Sequence, residues 1–339
     1  MTELATRYAL VLVETGSPES PSDVRHFLTR LYSDPFVMDT PFGAEYQKLF
    51  SSVIGFYRAS KLEAALKACG GKGPERTALP ELAEALAAAL SAGGESWRPY
   101  TAFRHAAPRI RDVVQQARQD GAQRVVLLFA RPFATSAGSG SAAAEVRGLA
   151  ADQDELPLSL LDRCDDAPEL RQVYAELLRE AHATLPEALR ADAELLFTLR
   201  GQPIPGASVD PSLEPARRFV DDVCARAGLG NRATVAFQCG TDPRADLSPS
   251  VEEVLERFAR EKKQAVVAMP LSHLVETLAT KWELDGPLQE AAKARGVSTW
   301  VRAPCPGARP SAVAALEKVV RRHLVDIGAA QGAGSDEPK

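Results

Sequence analysis

Short apolar runs alternate with amphipathic helical patterns along most of this chain, and this alternation limits the fold more than any other feature. The runs are continuously apolar rather than alternating in polarity, as expected for strands that helices cover on both faces. Such a pattern predicts an α/β protein built on parallel sheets. We predict strands at residues 8–13, 125–129, 194–199, 234–238, 265–269 and 299–302.

The pattern occurs twice, which predicts two domains. The first run covers residues 1–155 and the second covers 156–310, with a polar boundary at the sequence ADQDELP. A chain of 339 residues, 45% of them hydrophobic, is long enough for two cores. We expect residues 328–339 to form a disordered tail because they are mostly small and polar.

Charge and apolar content argue against two classes of protein. The formal net charge is −5 and no dense run of Lys and Arg occurs, so we expect no nucleic-acid partner. No segment approaches the roughly 18 consecutive apolar residues of a transmembrane helix. The sequence MTELATRYALVLVE has no basic lead and no cleavage site of small residues, so we interpret it as a first strand rather than a signal peptide.

The cysteines are odd in number and widely spaced. They are Cys69, Cys164, Cys224, Cys239 and Cys305. Because no C-x-x-C pair occurs, the spacing argues against a disulfide framework or a zinc ribbon and favours a cytoplasmic location. We expect no iron–sulfur cluster and interpret the cysteines as small buried apolar residues.

Two predicted strand ends carry side chains with useful chemistry. The run at 194–199 ends at Arg200, and open α/β sheets place their ligand sites at such carboxyl ends. After the run at 265–269, Ser272 could cap a helix with His273 and Glu276 on one face of its first turn. That pair could bind a metal or shuttle a proton. An exposed histidine beside a glutamate that favours the helix dipole is the commoner situation, and without further context it is the preferred interpretation.

Five segments carry a further signal when they are taken together. They are VLVETGSPESPSDVRHFLTRLYSDPFVMDTP, GGESWRPYTAFRHAAPRIRDVV, LLFTLRGQPIP, SHLVETLATKWELD and VRAPCPGARPSAVAALEKVV. In this order they resemble the first strand and helix, the G-M-R-Y-W-x-P segment, the S-A-H-G-L-P strand end, the S-D-H-x-E-T-L motif and the R-A-P-x-x-N-G-x-P segment of the ferrochelatase family. Enzymes of this family insert ferrous iron into a porphyrin during haem synthesis.

The resemblance covers nearly the whole chain and implies its architecture. We expect two similar Rossmann-like domains, each with a four-stranded parallel sheet flanked by helices, and a porphyrin cleft between them. A last helix at 311–327 would pack back on the first domain. The segment near 42–58 would form a lip over the cleft and could make peripheral contact with a membrane. As an ordinary surface helix, this segment would instead turn inward the apolar side chains Leu49, Phe50, Val53 and Phe56.

The functional residues of the family carry over only in part. Its essential histidine, in the S-A-H-G-L-P strand end, falls on Arg200, whereas the glutamate of its E-T-L motif is retained as Glu276. The histidine two residues before that glutamate falls on Leu274, and His273 is the nearest substitute. The resemblance therefore makes Glu276 a catalytic candidate and makes His273 and Glu276 candidate metal ligands.

Two further parts of the implied cleft are changed. The arginine and tyrosine of G-M-R-Y-W fall on Glu95 and Ser96, while Trp97 persists. The family's Y-P-x-Y-S strand end loses its tyrosines to Arg131 and Ala134. The residues of this chain that we assign to the ligand cleft are Thr15, Ser17, Glu95, Ser96, Trp97, Arg131 and Thr135.

Arg200 cannot replace a histidine as a proton acceptor or as a metal ligand. A guanidinium group stays protonated and has no acceptor, so it neither takes a proton nor binds Fe²⁺. It suits an anion such as a carboxylate, a phosphate or a porphyrin propionate. It could equally pair with a structural acid such as Glu276 or Glu95.

Two hypotheses about function follow. The favoured one is a ferrochelatase-like protein with a degraded site, weak or inactive in iron insertion, that binds a tetrapyrrole or another anionic ligand, or serves as a structural or regulatory partner. The alternative is an active but divergent ferrochelatase, which inserts Fe²⁺ into protoporphyrin IX or coproporphyrin III using Glu276 and His273.

Overall fold

The computed structural model describes residues 6–38, 44–152, 156–200, 212–238 and 247–333, and it contains two four-stranded parallel sheets. The first sheet has the order β2-β1-β3-β4, and the second has the equivalent order β6-β5-β7-β8. The strands are β1 (Arg7–Glu14), β2 (Ser96–Phe103), β3 (Arg124–Phe129), β4 (Leu158–Leu161), β5 (Glu194–Leu199), β6 (Ala233–Phe237), β7 (Ala265–Pro270) and β8 (Thr299–Arg302). This confirms the predicted fold class.

Helices connect these strands and flank both sheets. They are α1 (Val24–Tyr32), α2 (Ala44–Ala68), α3 (Glu75–Ser91), α4 (Ile110–Gln119), α5 (Ser141–Asp152), α6 (Pro168–Ala183), α7 (Glu187–Arg190), α8 (Leu213–Ala227), α9 (Val251–Arg260), α10 (Pro287–Ala294) and α11 (Pro310–Ala333). Local signals set several ends. Ser250 and Glu253 form a capping box at the start of α9, and Gly228 adopts a φ of 68° where α8 ends.

The six strands predicted from apolar runs are all present, but the sequence did not indicate β2 and β4. Both are edge strands, which are less apolar than central ones because one side lacks a neighbour. In β2, Pro99 is tolerated at the edge, and β4 has only four residues, all half-buried. Since β4 pairs with β3, the first sheet continues to Leu161, and the boundary predicted after residue 155 lies too early.

The last helix contacts the first domain, where the resemblance places it. On α11, Arg321 donates to the Leu90 carbonyl oxygen at 2.9 Å and pairs with Glu95 at 3.2 Å. The helix continues to Ala333, and residues 334–339 of the predicted disordered tail lie outside the described residues.

The predicted lip corresponds to the first part of α2, and its exposed side chains contradict the inward-facing alternative. Val53 is 48% exposed and Phe56 is 62% exposed. The side chains of Leu49 and Phe50 lie outside the described residues. The following turns of α2 face a cavity between the sheets, which is described below.

One apolar core joins the two halves of the molecule. It contains Leu10 of β1 and Phe197 of β5. Between the halves, Phe219 of α8 makes edge-to-face contacts with Phe133, which follows β3, and with Tyr174 of α6, at centroid distances of 5.4 and 5.2 Å. Such contacts fix the two sheets relative to each other, because aromatic pairs prefer this geometry.

Phe219→Ala should lower the free energy of unfolding by about 3–5 kcal/mol, because it removes a fully buried ring and leaves a cavity. Urea denaturation followed by circular dichroism measures this. The matched control is Phe36→Ala, at a side chain that is 40% exposed, and it should change stability by less than about 1 kcal/mol. Equal effects of the two substitutions would contradict the placement of Phe219 in a shared core.

Candidate active site

A cavity of about 490 Å³ lies between the two sheets, at the carboxyl ends of their strands. Glu14 ends β1, and Arg131, Arg200 and His273 follow β3, β5 and β7; all four line this cavity. Parallel sheets place ligand sites at this edge, and the volume falls in the range of small-molecule sites. The cavity is therefore the candidate site.

A buried cluster of three ionisable side chains forms one wall. Nδ1 of His273 lies 2.7 Å from Oε1 of Glu14, and Nε of Arg131 lies 3.2 Å from the same oxygen. Arg131 also donates from Nη2 to Oγ1 of Thr15 at 2.8 Å. Glu14, Arg131 and His273 are each less than 10% exposed. Arg131, His273 and Thr15 are predicted from the sequence, and Glu14 is not, although a charged residue at the end of a buried strand is a usable signal.

The protonation states in this cluster follow from burial and charge. Burial alone would raise the pKa of Glu14, but the charge of Arg131 and the hydrogen bond with His273 outweigh it and lower that pKa to about 2. Burial, reinforced by the charge of Arg131, lowers the pKa of His273. At neutral pH the imidazole is therefore neutral and donates from Nδ1 to the Glu14 carboxylate. Its Nε2 atom is buried and makes no hydrogen bond within the described part of the chain.

Arg200 lines the cavity and pairs with an acid that the sequence analysis did not consider. Its Nη1 atom lies 3.1 and 2.9 Å from the two carboxylate oxygens of Glu283. The suggested partners Glu276 and Glu95 bind elsewhere, to Arg302 and Arg321. The side chain of Arg200 is 41% exposed, so its charge faces both the cavity and solvent.

The segment after β7 is not the predicted helix start. Residues 272–277 are irregular, and the first helical turn comes at Ala279–Glu283. The reason is that their backbone groups bond to other segments: Leu274 donates to the Ala130 carbonyl and accepts from Gly307. The hydroxyl of Ser272 accepts from the Arg200 backbone N–H instead of capping a helix.

His273 and Glu276 consequently do not form the proposed metal pair. The Glu276 carboxylate accepts from Arg302 at 3.0 Å, from Thr280 at 2.6 Å and from the Cys305 backbone N–H at 3.0 Å. These bonds, together with the Arg302 charge, lower its pKa against the opposing effect of burial. Glu276 is not among the residues that line the cavity, and no group of three or more potential metal ligands occurs within the described ranges.

Trp97, Glu95 and Ser96 lie at the wrong end of their strand for a ligand cleft. Trp97 stacks on Tyr8 near the amino ends of β1 and β2, with ring centroids 4.3 Å apart. Its indole N–H donates to Glu95, which also pairs with Arg321. Because the cavity lies at the carboxyl ends, none of these three residues is among those that line it.

The carboxyl end of β2 fits the G-M-R-Y-W-x-P pattern better. Arg104 and Pro108 follow that end with the pattern's four-residue separation. Arg104 pairs with Asp34 at 3.1 Å and with Glu145 at 3.2 Å, and His105 lies 3.6 Å from Asp34. Burial lowers the pKa of His105 to about 4. This cluster packs beside the cavity without lining it.

Of the remaining cleft assignments, Thr15 and Ser17 line the cavity, but Thr135 does not. The hydroxyl of Thr135 accepts from the Gly138 backbone N–H at 3.2 Å and so stabilises its own turn. The sequence analysis also missed Glu75, the first residue of α3, which lines the cavity and is 2% exposed. An acidic residue in a first helical turn is common, so nothing in the sequence around Glu75 indicates that it lines a cavity.

Helix α2 supplies cations and the turn after β7 supplies an aromatic ring. Arg58 donates to the Tyr32 hydroxyl at 2.7 Å, and Nζ of Lys61 lies 5.5 Å from the ring centroid of Trp282. Burial lowers the pKa of Lys61. Arg58, Lys61 and Arg200 thus place three basic groups around the cavity.

Within the described ranges, no helix combines the length and apolar character needed to cross a membrane.

Comparisons with known proteins agree on one family. A family model described as Ferrochelatase matches residues 7–324. A protein described as Ferrochelatase from Synechococcus sp. (strain JA-2-3B'a(2-13)) is 32% identical over 336 residues, which cover 96% of this chain and 95% of that one. Another, from Synechococcus sp. (strain JA-3-3Ab), is 30% identical over 327 residues and 94% of each chain.

A solved structure described as "SirB from Bacillus subtilis with Fe3+" is similar in fold. The two chains have a TM-score of 0.51 and 12% sequence identity, and the match covers 93% of this chain and 94% of that one. At this identity the likeness concerns the fold alone.

Glu14→Gln should lower the free energy of unfolding by about 3 kcal/mol at pH 7, because it leaves the Arg131 charge buried without its partner. The pKa of Glu14 is lowered from 4.5 to about 2, so the stability that its carboxylate contributes is present above pH 4.5 and is lost as the pH falls towards 2. The difference between wild type and variant should therefore shrink over that interval. Urea denaturation at a series of pH values measures it. Glu84→Gln, at an exposed glutamate, is the control; a pH-independent difference for Glu14→Gln would contradict the assignment.

Proposed function

Since the chain belongs to the ferrochelatase family, we propose that it binds a tetrapyrrole in the cavity between its sheets and that its capacity to insert iron is weak or absent. Arg200 is the observation that carries this proposal. It stands where the family pattern has its essential histidine, and it lines the cavity in an ion pair with Glu283.

The physical argument concerns what metal insertion requires. Two pyrrole protons must leave the ring, and a largely dehydrated metal ion must approach it. A guanidinium group accepts no proton at any physiological pH and has no lone pair for iron. Its charge also repels a dication close by, and the ion pair with Glu283 offsets this repulsion only in part. The position therefore favours binding an anionic ligand over inserting a metal.

The composition of the cavity supports a tetrapyrrole over other anions. Apolar and aromatic side chains offer a surface for a flat macrocycle; they are Phe27, Leu28, Leu31, Tyr32, Leu62 and Trp282. Lys61 and Arg58 on α2, together with Arg200, suit the propionate carboxylates at the ring's edge. A small phosphate or carboxylate would leave the apolar wall unused.

His273 supports a second candidate function, an active but divergent ferrochelatase. Its Nε2 atom is unprotonated, buried and without a hydrogen-bond partner in the described chain, and the residue lines the cavity. The bond from Nδ1 to Glu14 holds the imidazole in the tautomer that leaves this lone pair available for a pyrrole proton or for Fe²⁺ as substrate. Glu276 is tied to Arg302, so this alternative depends on His273 rather than on Glu276.

The cytoplasmic location and a peripheral membrane contact of the lip stay predictions. The exposure of Phe56 at 62% and of Tyr57 at 77% on α2 supports such a contact. Neither prediction bears on which ligand the cavity binds, and the tests below do not depend on them.

Wild-type protein should bind mesoporphyrin with a micromolar dissociation constant and convert it to the iron or zinc complex at a rate close to that without protein. Spectral titration and a steady-state insertion assay measure the two quantities. No binding would contradict the proposal. Robust insertion that survives Arg200→Ala and is lost in His273→Ala would instead establish the second candidate.

Lys61→Ala should weaken mesoporphyrin binding about tenfold, because a charge-assisted contact to a propionate is lost. The matched control is Lys67→Ala, an exposed lysine of the same helix, which should leave the affinity unchanged. The same titration compares both variants with wild type. If the two substitutions weaken binding equally, the effect is one of net charge and the proposed contact is wrong.

A further inference from the structure

Glu75 is a buried acid for which neither the family pattern nor the site described so far supplies a role. It begins α3, lines the cavity and is 2% exposed. Neither of its carboxyl oxygens makes a hydrogen bond of good geometry within the described chain, and the same holds for the buried hydroxyl of Ser17. Ser17 also lines the cavity, so the two side chains form a polar wall.

The local packing brings this wall together. A Cβ atom at Gly73 would overlap both Oγ of Ser17 and Oε1 of Glu75, so a glycine is required for these groups to approach each other. The backbone there has ordinary dihedral angles, and what matters is space rather than conformational freedom. The chain thus makes room for two polar groups to lie side by side at the cavity.

Leaving a carboxyl group buried without partners costs free energy, so such a group calls for an explanation. Burial raises the pKa of Glu75 to about 7 and the negative charge of Glu14 acts in the same direction, while hydrogen bonding to Ser17 and the charge of Arg76 oppose the shift. At neutral pH a large share of the group is therefore a neutral carboxylic acid. Glu14 differs in that Arg131 lowers its pKa to about 2 and keeps it ionised. Two neighbouring acids with well-separated pKa values are typical of sites that transfer protons.

The chemistry of a neutral carboxyl group matches the centre of a free-base tetrapyrrole. The carboxyl group offers an O–H donor and a carbonyl acceptor side by side. A free-base ring offers N–H donors and unprotonated nitrogen acceptors next to each other. A metal complex of the same ring has neither, because all of its nitrogens bind the metal.

We propose that Glu75 is the specificity-determining residue that hydrogen-bonds the ring nitrogens of a bound free-base tetrapyrrole. The proposal rests on the proposed function, namely that the cavity binds a tetrapyrrole at all. It places the macrocycle's centre at the wall formed by Glu75 and Ser17, with the propionates directed towards the basic groups of α2.

The test uses free-base mesoporphyrin and its nickel(II) complex, which has a similar shape, lacks ring donors and acceptors, and takes axial ligands weakly. Glu75→Leu should weaken binding of the free base about tenfold and leave binding of the nickel complex unchanged. Glu75→Gln keeps one donor and one acceptor, so its affinity for the free base should stay within about threefold of wild type. Glu81→Leu, an exposed glutamate of the same helix, is the control.

The outcomes separate this inference from the proposed function. Loss of affinity for both ligands in Glu75→Leu would show a structural role and overturn the inference alone, as would no loss for either ligand. Failure of wild type to bind either porphyrin would overturn both proposals.

A second measurement applies even where Glu75→Leu does not fold. Infrared difference spectra of wild type should show the carboxylic acid C=O band shift on adding the free base and not on adding the nickel complex, and Glu75→Gln should lack that band. An unshifted band, or the same shift with both ligands, would overturn the inference.

Discussion

The ion pair between Glu14 and Arg131, with His273 bonded to the same carboxylate, is the interaction on which the site depends. It joins the ends of β1 and β3 in the first sheet to the segment after β7 in the second. Three ionisable groups are buried there, and the arrangement is stable only because the charges are paired and hydrogen-bonded. The same contact brings the backbone of Leu274 to the Ala130 carbonyl, and so it fixes how the two halves face each other across the cavity.

A second ion pair lines the same cavity. Arg200 and Glu283 form an ion pair that remains partly exposed, so a charged ligand can compete for it or add to it. Family membership supplies the scaffold and the cavity, whereas the side chains decide what happens inside, because fold does not determine function. In this cavity Arg200 supplies a fixed positive charge and His273 a neutral imidazole, whereas Glu75, with its pKa raised to about 7, can donate or accept a proton near neutral pH.

The sequence predicted the central strands well because buried parallel strands leave continuous apolar runs, whereas the edge strand β2 carries Arg98 and Pro99 and escaped notice. Because β2 was not predicted, the G-M-R-Y-W-x-P pattern was aligned with Trp97, which lies near the amino end of that strand rather than at its carboxyl end. His273 was found by its position near a strand end, but its partner Glu14 lies 259 residues away in the chain. The burial of Glu75 at the cavity results from packing in three dimensions, which no local pattern in the sequence encodes.

The central claim is that the cavity holds a tetrapyrrole and that Arg200, at the position of the family's essential histidine, leaves metal insertion weak or absent. A single-turnover experiment tests it most directly: the protein is loaded with free-base mesoporphyrin, and Fe²⁺ is then added without oxygen while the absorption spectrum is followed. We predict that the four-banded visible spectrum of the bound free base persists, changing no faster than that of the porphyrin alone. Rapid conversion of the bound porphyrin to the iron complex would contradict the account.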